Sequence, residues 1–106
     1  MVQAVLHATG LPEAPLDAAA RFHSEQVPIA LKMLDGTIDA LAIVFPSGGK
    51  PHQDWQLAVV QALAREAAPK RVNGVVGGGI DTVHATTDWL ASAAGITGQL
   101  LSVETG

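Results

Sequence analysis

The sequence predicts an α/β fold, a parallel sheet of about four strands with flanking helices, in a single domain over residues 1–106. Three observations carry this expectation. Four short apolar runs rich in branched residues, at 2–6, 41–45, 72–76 and 99–103, alternate with stretches of helical periodicity. The run Leu41-Ala42-Ile43-Val44-Phe45 is apolar at every position, as a parallel strand covered on both faces should be. Finally, 11 glycines and a charged fraction of 15% suit apolar strands joined by tight βα turns.

Taken in order, the first strand occupies 2–6 and is followed by a helical pattern over 16–34 with Leu16, Ala20, Phe22, Val27, Ile29, Leu31 and Leu34 as its apolar members. Pro28 lacks a backbone donor and should kink or split this helix, and Asp35-Gly36 closes it. After the strand at 41–45, a second helix is expected over 52–68, with Trp55, Val59, Ala62, Leu63 and Glu66 near helical spacing. Pro51 suits its first turn and Pro69 its stop. The strand at 72–76 leads to a short third helix that starts where Thr87 or Asp88 can cap free N–H groups and ends at Gly95. Trp55 and Trp89, single large apolar residues on helices, are expected in the core. The strand at 99–103 completes the plan, without internal repeat, linker or low-complexity tract.

If the crossovers all step the same way across the sheet, right-handedness sets the three helices on one face and leaves the other poorly covered. An apolar sheet face in water exceeds the few hundred Å² that monomers usually expose, so self-association or a partner subunit is expected.

Composition narrows the function classes. Six basic residues against ten acidic ones give a formal charge of −4, and the basic residues are scattered, which speaks against nucleic acid. The absence of cysteine excludes disulfides, thiolate metal sites and cysteine nucleophiles. No apolar stretch approaches the length of a membrane span and no basic segment precedes the first apolar run, so a cytoplasmic protein is expected. His7, His23, His52 and His84 show no i, i+4 pairing and no accompanying carboxylate cluster, so no metal site is expected.

Two loops invite sharper readings. Ser47-Gly48-Gly49-Lys50 offers a phosphate cradle at a helix start, but Val44 holds the place of the first glycine of G-x-x-x-x-G-K-[ST] and Pro51 follows the lysine. A plain tight connection is expected, with anion binding as the rival. Ser47, His52 and Asp54 are the residue types of a catalytic triad, but the G-x-S-x-G elbow is absent.

The segment Arg71-Val72-Asn73-Gly74-Val75-Val76-Gly77-Gly78-Gly79-Ile80-Asp81-Thr82, followed by Thr97-Gly98-Gln99-Leu100-Leu101-Ser102-Val103, resembles the end of the short-chain dehydrogenase/reductase family. There an R-V-N strand leads through a P-G loop to I-x-T, and T-G-x-x-x-x-V-D-G-G closes the domain. Ala62-Leu63-Ala64-Arg65-Glu66-Ala67-Ala68-Pro69 resembles the family's S-L-A-x-E-x-A-P helix end, residues 41–48 its I-V-N-I-S-S strand, and His7-Ala8-Thr9-Gly10 stands at its N-N-A-G turn. The resemblance covers the family's second half and is continuous from about Leu41. It implies a truncated Rossmann-like sheet that begins at the family's fourth strand.

What the family implies for chemistry is then mostly missing. Its T-G-x-x-x-G-x-G turn, where backbone N–H groups meet the dinucleotide pyrophosphate, has no counterpart. Family chemistry uses a tyrosine as acid/base, a lysine four residues later and a carbonyl-orienting serine. This chain has no tyrosine: Gly49 takes its place, Gln53 the lysine's, and Gly48, beside Ser47, the serine's. Gln26 lies near the family's helix asparagine. Catalytic residues are therefore expected to be absent, and Gly10, Gly78, Ile80 and Thr82 to be vestiges of a cofactor site.

The family's helices matching 16–34 and 52–68 commonly pack against their copies, and its last strand commonly makes a second contact. The resemblance thus implies a non-catalytic dehydrogenase-like protein without cofactor that acts as a homo-oligomer or as partner subunit of a full-length relative. The alternative is an NAD(P)-dependent oxidoreductase of the carbonyl or 3-oxoacyl reductase type, its active site completed by another chain. A small-ligand or anion-binding module using the Ser47 to Lys50 turn is the third reading.

Overall fold

A computed structural model describes residues 2–103. Along the chain, β1 (Gln3–His7) is followed by α1 (Pro15–Arg21), a π-helical segment (Phe22–Gln26), α2 (Val27–Leu34), β2 (Ala40–Phe45), α3 (Lys50–Ala67), β3 (Arg71–Val76), α4 (Ile80–Ser92) and β4 (Leu100–Ser102). All neighbouring strands run parallel in the order β1-β2-β3-β4, with Val5 beside Ala42, Ile43 beside Gly74 and Val75 beside Leu101. This is the Rossmann-like α/β arrangement expected from the sequence, with each strand found within two residues of its expected ends.

Period-two alternation sorts the strand side chains onto two faces. Leu41, Ile43, Phe45, Val72 and Val76 point to the first face, where Phe22, Ala30 and Leu34 of the α1–α2 arm and Val59, Val60 and Leu63 of α3 cover them. The close seat of α3 depends on Gly74, since a Cβ there would lie 2.7 Å from a Leu100 methyl and 3.0 Å from one of Val60. Val44, Val75 and Leu101 point to the second face and meet Val83 and Leu90 of α4, with Ile96 beyond it.

That placement of α4 corrects the face count made from sequence. β4 continues the sheet in the direction of the earlier steps, yet α4 lies on the face opposite α3. The third crossover therefore has the opposite hand to the first two, an exception to the right-handed rule. Two polar side chains of β3 account for it. The buried Arg71 projects onto the second face and donates through Nη1 to the carbonyls of Leu90 (2.9 Å) and Ala93 (2.8 Å), and through Nη2 to that of Ala91 (3.3 Å). A guanidinium at a helix C-terminus satisfies orphan carbonyls and the negative dipole end together. Asn73, also buried, donates from Nδ2 to Ile96 O and accepts from Gln99 N–H, which ties the return loop over the same face.

Helix boundaries differ from expectation where side-chain chemistry outweighs propensity. The first helix does widen because of Pro28, but the disturbance falls in the preceding turn. Val27 N–H reaches back five residues to Phe22 O, and Phe22–Gln26 becomes π-helical. Proline's ring excludes the carbonyl four residues earlier from regular pairing, and the wider turn accommodates it. The third helix begins at Ile80, seven residues before Thr87. Its β-branched start is compatible with helix because Val83, Thr87 and Leu90 form a buried stripe, while Thr86 and Thr87 donate to the carbonyls of Thr82 and His84.

Trp55 lies half-buried in an aromatic cluster, its ring 5.5 Å from Phe22 and 5.7 Å from Phe45. Trp89, expected in the core, is instead 55% exposed on the outer face of α4. Among the described residues no helix is long and apolar enough to cross a membrane.

Candidate functional site at the carboxyl ends of the strands

Parallel strands deliver all their βα exits to one edge of the sheet, the edge where open α/β folds bind ligands. Here three exits meet: residues 8–14 after β1, 46–49 after β2 and 77–79 after β3. A cavity of about 400 Å³ opens between the first two, lined by Leu11, Pro12, Glu13, Pro46, Ser47, Gly48, His52, Trp55 and Gln56.

His52 organises this cavity. Trp55 Nε1–H donates to His52 Nδ1 (3.2 Å), so Nδ1 is an acceptor and the ring carries its proton on Nε2, which donates to Glu13 O at 2.8 Å. The histidine thereby bridges the first turn of α3 to the loop after β1, and both ring nitrogens are occupied. The i, i+3 spacing of His52 and Trp55 places them on one side of the helix. That spacing is legible in the sequence, but Glu13 as partner, 39 residues away, is not. Below the cavity Gln56 is buried, and its Oε1 has no partner among the described residues.

Two of the three positions where the family resemblance sets catalytic groups, Gly48 and Gly49, leave little room for a side chain. A Cβ at Gly48 would stand 2.7 Å from the His52 ring. Gly49 has φ 78° and ψ −176°, a region that essentially only glycine occupies. Gln53 lies in the first turn of α3, and its N–H closes that turn on Gly49 O. The Ser47, His52 and Asp54 constellation is not assembled, since His52 is engaged as described and Asp54 accepts from Lys50 Nζ.

The residues expected as vestiges of a cofactor site lie at the same edge in differing settings. Gly10, at φ 70°, offers its carbonyl to Arg21, and Gln26, near the family's helix asparagine, donates to Thr9 O in the same loop. Gly78, at φ 86°, packs against the segment after β4, where a Cβ would meet Val103 O at 2.7 Å. Ile80 and Thr82 are exposed in the first turn of α4, where Asp81 adds a carboxylate that opposes an anion. These four residues share the strand-exit edge, with β2 between Gly10 and Gly78.

At the start of α3 Pro51 removes one N–H and Lys50 is paired with Asp54, so the Ser47 to Lys50 turn is a poor phosphate cradle. Among the described residues no group of three or more His, Asp or Glu side chains is placed to hold a metal ion.

Parallel strands in this order, the buried Arg71 and Asn73 of β3, and glycine-rich exits at the carboxyl edge define a dehydrogenase-like α/β domain. The family model described as "Short chain dehydrogenase-like protein" matches residues 6–103, and the chain belongs to that family. The match begins within β1, so the likeness extends well ahead of Leu41. Comparisons with curated proteins and with solved structures found no match.

Proposed function

We propose that this chain is a non-catalytic short-chain dehydrogenase-like protein that acts through association, with itself or as a partner subunit of a full-length relative. The observation that carries this reading is the pair Gly48 and Gly49. At the two positions of the reacting side chains, one Cβ direction is filled by His52 and the other backbone conformation excludes L-residues. The lack of any tyrosine in the sequence supports it. The exposed apolar residues Leu16, Ile29, Leu31 and Leu57 on the α1–α2 arm and α3 supply surface for association.

The test is the native mass of the chain alone and mixed with a full-length family member. An oligomer in either sample is expected, and a strict monomer in both would contradict the proposal. A second expectation concerns chemistry. The combined variant Gly48→Ser, Gly49→Tyr, Gln53→Lys should gain no carbonyl reduction with NADPH. It should also lose about 1–3 kcal/mol of stability through strain at position 49 and the collision at position 48, read by denaturant melting. Reductase turnover by the unmodified chain would overturn the reading.

A further inference from the structure

The pleat of β1 decides which main-chain groups face β2. Ala8 N–H donates to Val44 O, and Val2 O accepts from Ala40 N–H, so even-numbered residues turn their backbone inward. By alternation the N–H and C=O groups of Gln3, Val5 and His7 point away from the sheet. Among the described residues none of these groups has a partner.

Natural edge strands are blunted by charge, proline, bulges or a covering loop. β1 reads Gln-Ala-Val-Leu-His, with no charged residue, proline or glycine. Its flanks are apolar as well. Val2 and Val5 are 55% and 38% exposed. On the first face, Leu31 lines the groove between α2 and α3, so Ile29, about 200° around the helix from it, lies on the flank away from α3 and is 49% exposed. That flank looks toward the side where β1 ends the sheet.

We propose that β1 pairs antiparallel with β1 of a second copy of this chain across a two-fold axis at Val5. The strand is self-complementary in this register. Val5 meets Val5 of the second copy, Gln3 meets His7, and Ala4 meets Leu6, so every outward N–H finds an outward C=O. Centring on Gln3, Ala4, Leu6 or His7 would shorten the ladder, because fewer of the outward groups of Gln3, Val5 and His7 would meet one another across the axis. Side chains agree with the same choice. Gln3 Nε2 donates to Thr87 O, which leaves its carbonyl oxygen to accept from His7 of the second copy. Ala4 and Leu6 pair small with large on the first face, and the uncharged strands bring no like charges together despite the net charge of −4. A two-fold closes the assembly at two copies, joining two four-stranded sheets into one and removing the exposed edge.

This pairing rests on the association proposed above and deepens it by naming the partner and the surface. The test is the native mass of the wild-type chain, of Val5→Pro and of Val5→Lys, each checked for unchanged circular dichroism, with amide exchange measured on the wild type. Proline is tolerated at an edge position whose N–H faces outward, and lysine there sets two charges across the axis, so both variants should fold. The expected result is a wild-type dimer with slowed exchange at Gln3, Val5 and His7, and monomers for both variants. A wild-type oligomer that persists in both variants, or one with fast exchange at these amides, would overturn the β1 pairing and leave association through another surface standing. A wild-type monomer in the absence of any relative would overturn the β1 pairing, and association as a whole falls only if the mixture with a full-length relative is monomeric too.

Discussion

Phe22→Ala is expected to lower stability by about 3–5 kcal/mol, the usual cost of emptying a fully buried aromatic site. Phe22 is wholly buried in the π-helical segment, with its ring 5.3 Å from Phe45 and 5.5 Å from Trp55. Three elements meet there: the α1–α2 arm, β2 and α3. Natural domains of this size have total stabilities of about 5–15 kcal/mol, so the variant should melt at least about 10 °C lower or be partly unfolded at room temperature. The same change should loosen the site, because Trp55 orients His52 and His52 holds the loop at Glu13. Proteolysis should therefore reach residues 9–14 faster than in the wild type. Thermal melting within about 3 °C of the wild type would show that the aromatic cluster is not the pivot described here.

Arg71→Met should cost about 3 kcal/mol, despite a similar apolar stem, because the carbonyls of Leu90, Ala91 and Ala93 lose a charged donor in a buried setting. The loss should be local before it is global. Amide exchange should accelerate in the last turns of α4 and in the return to β4, while α3 keeps its protection. Arg71→Lys should recover only part of the loss, since one ammonium cannot reproduce the planar fork. Uniform destabilisation with unchanged exchange in α4 would contradict the view that Arg71 holds this helix on the second face.

The covering of that second face was the part of the fold least legible in the sequence. Strand positions were legible because branched apolar runs between glycine and proline signals admit few alternatives, and the parallel order followed from alternation of strand with helix. The hand of the last crossover was not legible. It depends on where the Arg71 and Asn73 side chains find carbonyls about 20 residues later in the chain, and a handedness rule applied without them predicts the wrong face. The start of α4 was not legible for a related reason, since threonines that disfavour helix in isolation are carried by the buried stripe of Val83, Thr87 and Leu90.

At the site, the loss of the tyrosine and the glycines in its neighbourhood were visible in the residues themselves. The filling of that space by His52 was not, because its partner Glu13 lies on another loop. Trp89 shows the limit of residue-type expectation: its place on the helix wheel of α4, opposite Val83, Thr87 and Leu90, settles its exposure.

The central proposal is that the family's chemistry is absent from this strand-exit edge and that the chain acts through association. Calorimetric titration of the chain with NADPH and, separately, NADH, at a concentration where its native mass is known, tests this most directly. The account predicts no saturable heat with either nucleotide. Stoichiometric binding near micromolar would contradict it, making Gly10, Gly78, Ile80 and Thr82 the residues to test as a cofactor site and favouring an oxidoreductase completed by a second chain.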